Sequence, residues 1–308
     1  MSRLSPPAQA ALLMIVGAAS AATMNCVIRV LSAEQHPFEI AFFRNLFGLV
    51  VMLPFLVRAG RGSLRTRSIG WLSVSSFGHL VAMLSFFVTV AAMPLAELTA
   101  LSFTKPLFAT IGATLVLHEV VRARRWSAVA IGFVGVLIVM RPGAAAVSPY
   151  ALLVLLSTLA IAAVALLIKH LSERESATTI VFYQSLFLSL FSLPPALLVW
   201  KAPSAGALAL LIAIGALGTV SWMCFTRAFA LADASAVMPY EFLKLPITAL
   251  LAYLLFAEVP TLWTWLGGAV IFGSTVYIAE REARVARTRA AAAAAAAEAI
   301  APPASPRA

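Results

Sequence analysis

Two lysines set in apolar sequence are the first residues to account for. Lys105 lies near the middle of Leu95–Glu119, LAELTALSFTKPLFATIGATLVLHE, a stretch long enough to cross a bilayer, for which about 20 apolar residues suffice. Lys244 lies in Val237–Glu258, VMPYEFLKLPITALLAYLLFAE. A lysine at membrane depth costs at least about 2.5–3.5 kcal/mol, so something must face each of them. Carboxylates are near both: Glu97 precedes Lys105 by eight residues and Glu241 precedes Lys244 by three. On one continuous helix Glu241, Lys244 and Thr248 share a face, with Tyr240 beside them. Such a cavity wall could take an anionic group at Lys244 and a cationic group at Glu241. The alternative is that the two satisfy each other as a structural pair. Glu97 and Lys105 stand about 80° apart around a helix and about 12 Å along it, too far to pair directly. Glu97 is then either a cavity group or a solvated carboxylate near the outer end, and Glu241 is a partner open to Lys105. Pro106 removes a backbone donor right after Lys105, so the helix is expected to bend or open there.

Other polar residues stand inside apolar runs. Arg44, with Asn45, lies more than one turn into the second run, and Asn25 lies near the end of the first, one turn before Arg29. Arginines near a span end can also snorkel to the headgroups. His79, Trp222 and Arg227 are further lining candidates, as are Tyr183 and Gln184. Glu119 and Glu258 fall at span ends, where capping or anchoring is expected. Gly132, Gly135, Gly267 and Gly268 are read as packing positions rather than phosphate cradles.

The elements that hold these groups follow from composition. The chain has 308 residues, 62% hydrophobic and 11% charged, against about 25% charged in a soluble domain. This excludes a soluble globular protein and points to an all-α membrane protein. Ten apolar runs are expected as spans: Ala8–Leu31, Phe38–Val57, Gly70–Ala92, Leu95–Leu117, Trp126–Met140, Pro149–Ile168, Thr178–Trp200, Ala207–Leu231, Ser235–Ala257 and Leu262–Ala279. The first resembles a signal peptide at its start but runs on too far for one. Counting from an inside N-terminus, the inward gaps and the stretch 281–289 after the last span hold fourteen basic residues: Arg3, Arg58, Arg61, Arg65, Arg67, Arg122, Arg124, Arg125, Lys169, Arg174, Arg281, Arg284, Arg287 and Arg289. The outward gaps hold two, Arg141 and Lys201. Both termini are therefore expected in the cytoplasm of a bacterial inner-membrane protein. The net charge of +10 is spent on this asymmetry and does not argue for nucleic acid. Cys26 and Cys224 sit in apolar runs and read as buried thiols. The four histidines are scattered, so no metal site is expected.

The chain also repeats. Ile28–Ser32 matches Ile168–Ser172 at an offset of 140, and Phe103, Lys105, Glu119 and Trp126 match Phe242, Lys244, Glu258 and Trp265 at 139. Each copy holds five spans, and an odd number makes the second copy enter from the opposite face. The domains are expected at 1–143 and 144–280, followed by a basic, Ala/Pro-rich cytoplasmic tail at 281–308, part helical and part disordered. Inverted repeats are a plan of secondary transporters, with the substrate site at the repeat interface near the midplane.

FFRN (Phe42–Asn45), MPLAELTALSFTKPLFA (Met93–Ala109), GFVGVLIVMRPG (Gly132–Gly143) and DASAVMPYEFLKLP (Asp233–Pro246) together resemble the drug/metabolite transporter superfamily, EamA type. The resemblance spans about Leu12 to Arg281. It implies ten helices as two inverted five-helix repeats and ATP-independent transport of small organic solutes, such as amino acids, S-adenosylmethionine or riboflavin, through a central cavity. No Walker A, G-x-S-x-G or H-E-x-x-H motif is present, so neither an enzyme nor a cofactor is expected. The reading is an inner-membrane secondary transporter of a small polar metabolite, with proton coupling as a candidate drive. Lys105, Lys244, Glu241, Tyr240, Glu97, Trp222, His79, Arg44 and Asn25 are its candidate binding residues. The competing reading is a membrane subunit or lipid-translocating partner of a larger assembly.

Overall fold

The computed structural model describes residues 6–59, 66–116, 123–141, 148–172, 177–231 and 240–278, with Glu175, Glu280 and Arg284. The helices are α1 (Pro6–Leu31), α2 (Pro37–Ala59), α3 (Ile69–Ala92), α4 (Leu95–Ser102), α5 (Lys105–Val116), α6 (Ala123–Met140), α7 (Pro149–Ser172), α8 (Ala177–Leu198), α9 (Ala205–Leu231), α10 (Lys244–Phe256) and α11 (Leu262–Ile278). No strand occurs among the described residues. Parts of all ten expected spans are helical. Six of these helices are long and apolar enough to cross a membrane by themselves. The expected tail from Arg281 onward, except Arg284, lies outside the described residues, as do Glu119 and the segment 232–239.

Two expected spans are broken, both at the lysines. Leu95–Leu117 is two helices, because Phe103 and Thr104 form a turn before Lys105. Pro106 cannot donate, and the Leu107 N–H turns to the Thr104 carbonyl at 2.9 Å, as a first-turn residue does. The Phe103 carbonyl thus freed accepts from the Thr275 hydroxyl on α11 at 3.3 Å. The second copy breaks at the matching place: Tyr240 and Glu241 are helical, Phe242 and Leu243 form a turn, and α10 starts at Lys244. This corrects the expected shared face of Glu241, Lys244 and Thr248. The turn rotates Glu241 off it, because i, i+3, i+7 spacing holds only on an uninterrupted helix.

Packing follows the repeat. α1 packs on α9 and α3 on α7, which is one contact seen from either copy, and α2 packs on α8 and α4 on α10. The two turn residues meet at the centre: Phe103 and Phe242 ring centroids lie 5.7 Å apart, and Phe272 lies 4.4 Å from Phe242 and 5.9 Å from Phe103. The last helices of the copies, α6 and α11, touch backbone to backbone. A Cβ on Gly267 would lie 2.6 Å from the Gly135 carbonyl oxygen and 2.9 Å from the Val139 nitrogen. Gly267→Ala should therefore force these helices apart at a cost of about 1–3 kcal/mol. A lower melting temperature in detergent is the expected readout, and an unchanged one would deny the contact.

On the face where α7 ends and α8 begins, the Glu175 carboxylate accepts from the Thr66 hydroxyl at 2.6 Å and from the Arg67 N–H at 3.3 Å. The Thr66 bond is the main cause holding this carboxyl below its ordinary range. The small stabilisation it gives is present above that range and fades as the pH falls through it.

Candidate functional site

The helix breaks open onto a central cavity of about 620 Å³. Lys105 leads α5 into it with its side chain exposed to the cavity space, and no described residue gives it a hydrogen bond or an ion pair. To the same cavity α2 contributes Arg44 and Asn45 and α3 contributes His79. The Arg44 guanidinium lies against Gly218 of α9, where a Cβ would come within 3.2–3.3 Å of its nitrogens. Its Nη1 donates to Asn45 Oδ1 at 3.1 Å, and Asn45 Nδ2 in turn donates to the Leu188 carbonyl at 3.4 Å. Among the described residues no carboxylate pairs with Arg44. Glu241, Trp222 and Gln184 complete the polar and aromatic wall, with Phe103, Phe225 and Phe272. Buried nitrogens of two lining residues, His79 Nδ1 and Gln184 Nε2, have no protein partner.

Five of the nine candidate binding residues thus share one cavity: Lys105, Arg44, His79, Trp222 and Glu241. Four do not line it. Lys244 is half-buried behind the turn, Tyr240 is exposed, and Glu97 is half-buried near the start of α4. Asn25 is buried at 1% exposure, its Nδ2 unpartnered, rather than lying at an outer surface. No ion pair joins Glu241 to Lys244 or to Lys105. Arg227 and Tyr183 also lie off the cavity wall. Ser185, Thr219 and Gly218 line it without having been singled out in the sequence, since small residues in an apolar run carry no signal of their own.

The cavity is closed at one end. Its lining on α8 runs from Val181 to Leu188, nearer the helix start, and its lining on α11 is Phe272 and Thr275, nearer the helix end. Both lie toward the face where α1 begins. At the opposite face Arg29 pairs with Glu258 at 2.8 Å and donates to the Met93 and Val90 carbonyls at 2.6 and 2.9 Å. Glu258 also accepts from the Leu95 N–H at 2.9 Å. Ala257, at φ 55°, ends α10 in a left-handed turn that brings Glu258 to Arg29. Arg29 therefore does not snorkel and Glu258 is more than a cap. Together they tie the ends of α1, α3 and α10 to the start of α4.

This arrangement can bind a small solute near mid-membrane with one side shut. Two successive matches to the EamA-like transporter family model cover residues 8–141 and 148–279. The chain belongs to the EamA-like transporter family. The matches meet where the five-span copies meet, so the ten-helix fold of two inverted repeats is that of an EamA-type member of the drug/metabolite transporter superfamily. The chain is 34% identical over 292 residues to a riboflavin transporter of Vibrio cholerae, covering 93% of this chain and 98% of the relative. It is 32% identical over 252 residues to an S-adenosylmethionine uptake transporter of Rickettsia prowazekii, covering 82% and 86%. A solved crystal structure at 15% identity superposes with a TM-score of 0.59 over 89% of this chain and 96% of its own, a likeness of fold. As an EamA-type protein the chain is a multi-pass membrane transporter.

Proposed function

We propose that this EamA-type protein moves a small polar organic metabolite across a bacterial inner membrane by alternating access, without ATP and without acting as an enzyme. The observation that carries the reading is the cavity itself: Lys105 and Arg44, with no carboxylate partner among the described residues, line with Glu241 a space of about 620 Å³ at the repeat interface, with one end tied shut by Arg29 and Glu258. Cofactor-like solutes, of which S-adenosylmethionine and riboflavin are the ones moved by the relatives, and amino acids are the substrate candidates. Residues 1–143 and 144–280 are the two halves that rock against each other, and 281–308 is a cytoplasmic tail. Purified protein as the sole component of liposomes should carry such a solute down an imposed gradient. Absence of flux for every solute that stabilises the protein would favour a non-transporting membrane subunit instead.

Orientation is tested separately. With both termini cytoplasmic, a cysteine placed at Ser148 should react with an impermeant reagent added outside and one at Ser63 should not. Glu241 is the proton-coupling group in this reading, because it is the one carboxylate named on the cavity wall and it has no ion-pair partner among the described residues. Glu241→Gln should abolish accumulation against a gradient and flatten the pH dependence while sparing downhill exchange. Unchanged accumulation would remove it from that role.

A further inference from the structure

The charges on the cavity wall do not balance, and the excess is localised. Arg44, His79 and Lys105 line one cavity from α2, α3 and the start of α5, and both cations act electrostatically on the imidazole. Arg44 and Lys105 have no carboxylate partner among the described residues, and His79 Nδ1 is buried with none of any kind. The positive end of the α5 dipole opens at the same place, since α5 begins at Lys105. Glu241, the one acid on the wall, forms an ion pair with neither Arg44 nor Lys105. The wall therefore carries two cations against one carboxylate that pairs with neither, an imbalance that an anionic solute group would relieve.

We propose that Arg44, His79 and Lys105 form an anion subsite, and that the transported solute carries a phosphate or comparable doubly ionisable acidic group there, with a flat apolar portion against Phe103, Phe225 and Phe272. Arg44 is its specificity-determining residue. Asn45 and Gly218 fix the guanidinium in place, and a planar fork holds an oxyanion in two bonds where lysine gives one. The inference rests on the transport reading and sharpens it. S-adenosylmethionine carries a net positive charge and riboflavin none, so neither neutralises this site, whereas a flavin or nucleoside bearing a phosphate does.

The test uses matched probes that differ only in the acidic group: riboflavin against flavin mononucleotide, and adenosine against adenosine monophosphate, with S-adenosylmethionine as the cationic probe. Melting temperatures of the purified protein are followed against probe concentration. The expected result is stabilisation by at least one phosphorylated probe at concentrations about ten-fold lower than its neutral partner needs, one charge-assisted pair of bonds being worth about that factor. The advantage should vanish in Arg44→Gln and shrink in Gly218→Ala, which keeps the charge but displaces the guanidinium. Equal or better binding of the neutral or cationic probes would overturn the subsite, as would no response to any phosphorylated probe or an advantage that survives Arg44→Gln. In each of those cases flux into liposomes still decides the transport reading separately.

Discussion

Lys105→Met is expected to abolish solute flux into liposomes while the protein still inserts and melts near the wild-type temperature. Lys105 projects into the cavity with no protein bond to lose, so its removal strands no partner. Its side chain is exposed to the cavity, so the substitution leaves no buried group unsatisfied and stability should hold. Lys244 occupies the matching place in the other copy but stands behind the Phe242–Leu243 turn, off the cavity wall. Lys244→Met should therefore weaken transport through the field it exerts on Glu241, by less than Lys105→Met does. Flux and melting temperature of both variants in one detergent decide it. Normal flux in Lys105→Met would remove the centre of the assigned site.

Glu258→Gln is expected to open the cavity toward the face where α1 ends. The carboxylate holds Arg29 at 2.8 Å and the Leu95 N–H at 2.9 Å, so it joins α10 to both α1 and α4. Losing one partner of a half-buried, hydrogen-bonded pair costs about 1–3 kcal/mol, equivalent to about 5–150-fold in the ratio of closed to open states. Arg29 would keep the Val90 and Met93 carbonyls, which is why the latch loosens rather than fails. In a protein whose own Cys26 and Cys224 have been replaced, a cysteine at Ser185 on the cavity wall should react faster with an impermeant reagent added on the side where α1 ends when Glu258→Gln is present. Transport should slow at the same time, because a state that closes less often completes the cycle less often. Equal labelling rates with and without the substitution would show that the pair does not close that end. The repeat puts the same two charge types at Lys169 and Glu119 in sequence, as a device used once by each copy would require.

Much of the frame was legible before any coordinates. Hydrophobic run length gave ten spans, and the Lys105/Lys244 register gave the repeat and the α4–α10 neighbour pair that the Phe103–Phe242 contact now shows. Pro106 announced the break before Lys105. The break before Lys244 was missed because Pro246 sits one register position later and Phe242–Leu243 look like any apolar pair. That miss also misplaced Lys244 and Thr248, since helical spacing was assumed across a turn. Site residues were legible where an ionisable group sits in apolar sequence, as at Arg44, His79, Lys105 and Glu241. They were illegible where the site needs absence of bulk, as at Gly218. The Arg29–Glu258 tie joins residues 229 apart in the chain, and single-sequence reasoning has no handle on a pair set by helix packing.

The central claim is that the solute occupies the cavity faced by Lys105 and Arg44. Its most direct test is substrate protection of a cysteine at Ser185 in the Cys26- and Cys224-free protein, labelled from the side on which α1 begins. The account predicts that the transported solute blocks labelling with a half-effect concentration matching that for transport, and that Lys105→Met abolishes the protection. Full labelling at solute concentrations that saturate transport would contradict it.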